Sequence, residues 1–166
     1  METLVDVILS RRSIRHYIRK SIPEDALRII LESGRLAPSA NNRQPWKFIV
    51  VTDDELKTKL SRRRWSWFIK ESAFTVVGCG YRGDEEARKW STIDTAIALQ
   101  NMVLAAWSMG IGSCWVGDFD EAEVKTLLGI PEEWKVVCLV SFGYPERIPE
   151  TTTKKGLSEV VSYNKF

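Results

Sequence analysis

Between Leu36 and Phe48, LAPSANNRQPWKF, the chain sets Ser39, Asn41, Asn42, Arg43 and Gln44 between Pro38 and Pro45. Hydroxyl and amide groups at that density supply many donors and acceptors in little space. They are costly to bury unless something satisfies them. By composition alone the stretch reads first as a solvated loop capping a helix. The alternative is a ligand loop, held rigid by two prolines and Trp46, that offers amides and a hydroxyl to a polar ring edge. A second stretch, Arg11-Arg12-Ser13-Ile14-Arg15, carries three guanidinium groups and a hydroxyl within five residues. Taken alone it reads as a solvated basic arm, yet forked, charge-assisted bonds from such a cluster suit a phosphate monoester. A third, Trp115-Val116-Gly117, offers apolar surface and open backbone to a flat aromatic system.

Side chains for self-contained catalysis are scarce. His16 is the only histidine, and no Ser-His-Asp or Cys-His arrangement is apparent. No carboxylate pair or metal-ligand cluster stands out, so no metal site is expected. Gly78-x-Gly80 follows a strand-like run without the rest of a dinucleotide fingerprint, which argues against a Rossmann site. Cys114, beside the third stretch, reads as packing rather than as a nucleophile. An enzyme built on these residues borrows its chemistry from a cofactor. Ser61 to Ile69, SRRRWSWFI, interleaves three arginines with Trp65, Trp67 and Phe68. Charge plus stacking can bind single-stranded nucleic acid, but a helix end packing its aromatics on a core or partner is the commoner arrangement.

Helices and strands are interspersed along the chain to position these stretches, so the class read from the residues is α+β or α/β. Glu2 to Ser10 predicts a short amphipathic helix with Leu4, Val5, Ile8 and Leu9 as its apolar face. Arg11 to Lys20 shows no clean stripe and reads as extended or loop. Pro23 starts a second helix, with Glu24 and Asp25 in its first turn and Leu27, Ile30 and Leu31 buried. Phe48 to Val51, Ala73 to Gly80 and Val136 to Phe142 read as three buried strands. Asp53 to Arg64 is a charged helix, and Glu121 to Leu128 is a short one stopped by Gly129 and Pro131. Thr92 to Gly110 is the strongest helix, capped by Thr92 or Asp94 and apolar on most sides, which places it in a core or a subunit interface. The last twenty or so residues carry a Thr-rich turn, Lys154-Lys155 and an exposed tail.

At 166 residues and 19.0 kDa the chain suits one domain able to bury most of its apolar surface. A formal net charge of +2 is too small to argue for nucleic acid by itself. Three cysteines with no paired short spacing suggest neither a disulfide framework nor zinc, and fit a reducing cytoplasm. The N-terminus lacks a basic n-region and cleavage site, and no run of about 18 apolar residues occurs, so neither a signal peptide nor a membrane span is expected. Seven tryptophans point to interfaces or ring-binding sites.

RRSIRHY, then APSANNRQPWKFIVV, then DTAIALQNMVLAAWSMGIGSCWVGDF, in that order, resembles the nitroreductase family of FMN-dependent oxidoreductases. The similarity covers most of the chain, including VVCLVSFGYP and a basic pair near the C-terminus. It implies an α+β, three-layer fold with a central, mostly antiparallel sheet flanked by helices. Residues 1–166 would form one FMN-binding domain, paired as a homodimer with two FMN sites at the subunit interface. The resemblance assigns Arg11, Arg12, Ser13 and Arg15 to the FMN phosphate and ribityl chain. It assigns Pro38, Ser39, Asn42 and Gln44 to the ribityl chain and flavin ring. Trp115, Val116 and Gly117, with Asp118 as a further candidate, would lie along one flavin face, and Lys154 or Lys155 would meet the phosphate.

The implied activity passes hydride from NADH or NADPH through flavin to an electron-poor small molecule such as a nitroaromatic or quinone, with no dedicated acid–base residue. The alternatives are a non-catalytic FMN-binding protein that stores or senses flavin, and a nucleic-acid binder. The last leaves the Pro38 to Trp46 loop unexplained. Two departures stand out: the chain is short for the longer inserted helices that shape substrate pockets, and Ala73-Phe74 replaces a commoner Ala-Pro.

Overall fold

The computed structural model describes residues 3–166. Along the chain it forms α1 (Leu4–Ser10), β1 (Tyr17–Ile18), α2 (Glu24–Arg35), β2 (Trp46–Val51), α3 (Asp54–Leu60), β3 (Phe74–Tyr81), α4 (Glu85–Ser108), β4 (Gly112–Val116), α5 (Glu121–Leu128), β5 (Trp134–Pro145) and α6 (Leu157–Val160). Short 3-10 segments occupy Ala40–Asn42 and Trp67–Glu71.

The apolar run from Phe74 to Tyr81 becomes the central strand because both of its faces are covered. β3 pairs antiparallel with β2 on one side and β5 on the other. Val140 of β5 faces Val76 of β3 and, across its other edge, Trp115 of β4, so β2 and β4 lie at opposite edges of the sheet. β1 pairs with the far end of β5. Alternation along the strands divides the core into two layers. Phe74, Val76, Val140 and Phe142 pack with Ile30 of α2 and Leu99, Met102 and Val103 of α4. Val77, Leu139, Cys114 and Val116 face the opposite way, against Leu60, Phe68, Ile69 and Val124. Each such side chain, fully removed from water, contributes roughly 2 kcal/mol. The architecture is the expected α+β sandwich of helices around an antiparallel sheet.

Gly78 and Gly80 turn out to serve packing. A Cβ on Gly78 would lie 2.7 Å from Leu99 Cδ1, and one on Gly80 would lie 3.1 Å from Ser91 Oγ. The missing side chains let α4 press directly onto the sheet.

Several boundaries differ from the sequence reading. α4 begins at Glu85, capped by Asp84, whose side chain accepts the Ala87 N–H at 2.8 Å. Thr92 and Asp94 therefore sit inside the helix; the polar stretch before Thr92 hid its first turns. α3 stops at Leu60, so Arg62, Arg63 and Arg64 lie beyond it in a turn. β2 is an edge strand in which only Val51 is fully buried, and β4 and β1 add to the three strands expected. The helix expected from Glu2 is seen from Leu4; Glu2 lies outside the described residues. Its apolar residues Leu4, Val5, Ile8 and Leu9 are exposed, and only Val7 is buried.

Candidate functional site

Residues 11–17 run along the outer edge of β4. The Ile14 N–H donates to the Ser113 carbonyl at 2.9 Å, and Ser13 bridges to Ser113 in parallel. Ile14 is buried against Gly112, where an added Cβ would lie 2.5 Å from its Cγ1. The Tyr17 hydroxyl donates to the Ile14 carbonyl at 2.7 Å and meets Ser141 Oγ at 2.7 Å. Burial raises the Tyr17 phenol's pKa, so it stays a neutral clamp. The backbone that presents the arginines is thus fixed at three points.

Among the described residues, Arg11, Arg12 and Arg15 form no ion pair with a carboxylate. Arg12 Nη1 donates to the carbonyls of Leu9, Ser10 and Arg11, closing the C-terminal end of α1, and its Nη2 reaches Thr151 Oγ1. Arg15 stands 5.9 Å from the Phe68 ring centre. It lines a cleft of about 570 Å³ whose other walls are Trp65, Trp67, Phe68 and the segment Trp115–Asp118. Gly117 opens onto space, since a Cβ there would meet no atom of the described residues within 4 Å. Asp118 Oδ2 accepts the Trp65 N–H at 2.7 Å, and Arg63 pairs with Asp120 at 3.2 Å. Cys114 is buried beside this segment and burial raises its thiol pKa, in keeping with a packing role.

The Pro38 to Trp46 loop is held in an unusual backbone. Asn41, Asn42 and Gln44 have φ of 52°, 54° and 52°. Left-handed conformations in non-glycine residues cost on the order of 1 kcal/mol or more each, and they persist where the surroundings enforce them. Ser39 Oγ accepts the Gln44 N–H at 2.9 Å, and Gln44 Nε2 donates to the Asn42 carbonyl at 3.2 Å. Ala40 N–H donates to Asp94 Oδ1. Asn42 and Gln44 remain exposed, while Pro45 is buried. A loop that only capped a helix would need none of this strain.

Two of the three stretches come together in one chain. Arg11–Arg15 and Trp115–Gly117 share the β4 edge. The Pro38–Gln44 loop enters β2 at the opposite edge of the sheet. Lys154 and Lys155 lie on the exposed tail, just past Thr151, which touches Arg12. Sequence reasoning missed Trp65 and Trp67 as cleft walls, and Asp94 as a loop anchor. The SRRRWSWFI motif was the available signal for the first two; nothing local marks Asp94. No group of three or more His, Cys, Asp or Glu side chains suited to a metal occurs among the described residues.

A large apolar surface accompanies the site. Leu4, Val5, Ile8 and Leu9 on α1 and Ile93 and Ile97 on α4 are exposed, as are Leu157, Val160 and Tyr163 in the tail. No helix among the described residues is long and apolar enough to cross a membrane.

Comparison with known proteins fits this geometry. A provisionally named NADH dehydrogenase/NAD(P)H nitroreductase of Archaeoglobus fulgidus is 37% identical over 155 residues, covering 88% of this chain and 87% of that protein. The crystal structure of a nitroreductase family protein from Clostridium novyi superposes with a TM-score of 0.81 at 34% identity, covering 87% of both chains. The NADPH:FMN oxidoreductase of Vibrio harveyi, solved with NAD+, superposes with a TM-score of 0.93 at 28% identity over 98% of this chain and 77% of that one. The Nitroreductase family model matches residues 8–74 and 73–144. With its sheet order and its arginine-edged cleft, the chain belongs to the nitroreductase family.

Proposed function

We propose that this chain works as a homodimeric, FMN-dependent NAD(P)H oxidoreductase that reduces an electron-poor small molecule such as a nitroaromatic or quinone. The observation that carries the reading is the Ser13–Ser113 bridge, which fixes carboxylate-free arginines beside the open backbone at Gly117.

The residues present fit FMN. Arg11 and Arg15, with the Ser13 hydroxyl, offer forked donors to a phosphate monoester. The open space over Gly117 and the aromatic walls of the cleft suit a flat ring. FMN, when bound, supplies the two-electron redox chemistry that no side chain here offers. The chain's own work is to bind, orient and exclude water. The Trp115–Gly117 segment lines the cleft, and backbone N–H groups turned toward a bound ring would favour its reduced, anionic form. The packed walls formed by Trp67 and Phe68 would keep water from the inner end of the cleft.

The Pro38–Gln44 loop cannot complete a site at the far edge of its own sheet. In a homodimer, Ser39, Asn42 and Gln44 of one copy complete the arginine half of the other. The exposed apolar face of α1 and the apolar tail supply the surface that such pairing would bury. Lys154 or Lys155 adds charge near Arg12.

The test is the visible spectrum of the purified protein after FMN addition and desalting, followed by anaerobic addition of NADH or NADPH. Retained flavin that is bleached by a dinucleotide and restored by a nitroaromatic or quinone supports the proposal. Retained flavin that no dinucleotide bleaches would leave a flavin store or sensor.

A further inference from the structure

We propose that the turn Arg62–Trp65 selects the reductant by holding a 2′-phosphate, which makes NADPH the preferred nicotinamide dinucleotide. This rests on the oxidoreductase reading and names the substrate of that same site.

The turn is built onto the rim of the cleft. Trp65 N–H donates to Asp118 Oδ2 at 2.7 Å, and Arg63 pairs with Asp120 at 3.2 Å, so two anchors tie it to the residues directly after Gly117. Ser66, fully buried, closes the turn from inside: its N–H donates to the Arg63 carbonyl at 3.2 Å and its Oγ accepts the Arg63 N–H at 3.2 Å. A turn held this firmly presents its side chains in fixed directions.

Charge is then unevenly distributed. Asp120 balances Arg63, whereas Arg62 and Arg64 have no carboxylate partner among the described residues. Arg64 lies 5.0 Å from the centre of the Trp65 ring, and Trp65 is 65% exposed. A large aromatic left in water at the mouth of a ring-binding cleft, with a guanidinium on its face, is a platform for a planar base next to an anion. Packing accounts for the neighbouring aromatics, since Phe68 is buried and Trp67 packs on the same core. It does not account for Trp65 or Arg64; Arg62, in the same turn, faces the adjoining hollow between α3 and α5 with Lys59 and Arg63.

A nicotinamide stacked on a flavin held over Gly117 must send its adenosine end out across the rim. There an adenine can stack on Trp65 while a 2′-phosphate meets Arg62 and Arg64. NADH has only a hydroxyl at that position and gains nothing from a second guanidinium. A neutral quinone or nitroaromatic has no use for either charge.

The experiment is titration calorimetry of NADP+ and NAD+ into the FMN-loaded protein, for the wild type, R62A/R64A and W65A. The NADPH to NADH ratio of kcat/KM is measured beside it. FMN retention and melting temperature check that each variant is folded. The expected result is NADP+ binding about tenfold tighter than NAD+, an advantage of about 1.4 kcal/mol. It should shrink as salt rises and fall to near unity in R62A/R64A, with the kcat/KM ratio following. W65A should weaken both dinucleotides together. Equal affinity of the wild type for both, or an NADP+ advantage that survives R62A/R64A, would overturn the proposal. Failure of the oxidoreductase reading looks different: neither dinucleotide bleaches the flavin, whatever the calorimetry reports.

Discussion

Ala40 donates its backbone N–H to Asp94 Oδ1 at 3.2 Å, tying the strained loop to the middle of α4. Asp94 is buried, and its other oxygen, like the hydroxyls of Ser91 and Thr95 beside it, finds no hydrogen-bond partner among the described residues. Asp94 is thus one of two carboxylates that tie the loop to α4, the other being Asp84, which pairs with Arg43 at the helix N-cap. Asp94→Ala should loosen the loop and weaken FMN binding by about tenfold, a loss near that of one hydrogen bond to a charged group. Asp94→Asn keeps an acceptor oxygen and should hold FMN to within about threefold of wild type, since the contact survives. Quenching of flavin fluorescence on titration measures both.

The arginine edge makes a second expectation. Arg11→Ala or Arg15→Ala should reduce FMN affinity by about 10- to 100-fold, the value of one charge-assisted bond. Riboflavin, which lacks the phosphate, should lose much less. Losses of equal size for both ligands would remove these residues from the phosphate.

Gly117 separates binding from stability. Among the described residues no atom stands within 4 Å of an added Cβ, so Gly117→Val should leave the melting temperature of the flavin-free protein nearly unchanged. The same side chain would project into the cleft and should weaken FMN by at least about tenfold, because overpacking a ring site is costly. A variant that melts early yet keeps flavin would contradict both halves.

Alkaline pH should destabilise the fold. Thiols that ordinarily titrate near 9.0 are pushed by burial up to about 11 at Cys79 and Cys138. Stability is full below pH 9, where both states are protonated. Between pH 9 and 11 the unfolded chain holds fewer protons than the folded one, so each step upward lowers stability. The urea midpoint measured at pH 8, 9.5 and 10.5 should fall, and Cys79→Ala/Cys138→Ala, though weaker at pH 8, should fall less steeply.

The apolar face of α1 predicts assembly. Ile8 and Leu9 are 52% and 71% exposed in the single chain. Ile8→Glu/Leu9→Glu should convert a dimer to a monomer and, with it, abolish FMN retention. Light scattering of the desalted protein reads both, and a monomer that stays yellow would sink the shared-site proposal.

Much of this was readable in advance where a residue's role is local. Pro23, Glu24 and Asp25 announce α2, Gly129 with its φ of 65° ends α5, and the apolar Phe74–Tyr81 run is the central strand. Periodicity failed where tertiary contacts decide. Leu4, Val5, Ile8 and Leu9 have the spacing of a core-facing helix, yet that face points outward because a helix stripe says nothing about which molecule covers it. Phe48 to Val51 looks like an interior strand, but its edge position follows from pairing with β3 alone. At the site, the RRSIR and loop motifs were visible by composition. The Asp94 anchor was not, because the residue it holds lies 54 positions away in the chain.

The placement of β2 and β4 at opposite edges of one sheet has a genetic consequence. If each site takes its arginines from one copy and its loop from the other, damage to the two halves is separable. A chain carrying Arg15→Ala and a chain carrying Asn42→Ala would each be deficient alone. Mixed together, they would form a heterodimer in which both lesions fall in the same site, leaving the other intact. Two inactive alleles would then restore each other, to about half the activity per mixed dimer.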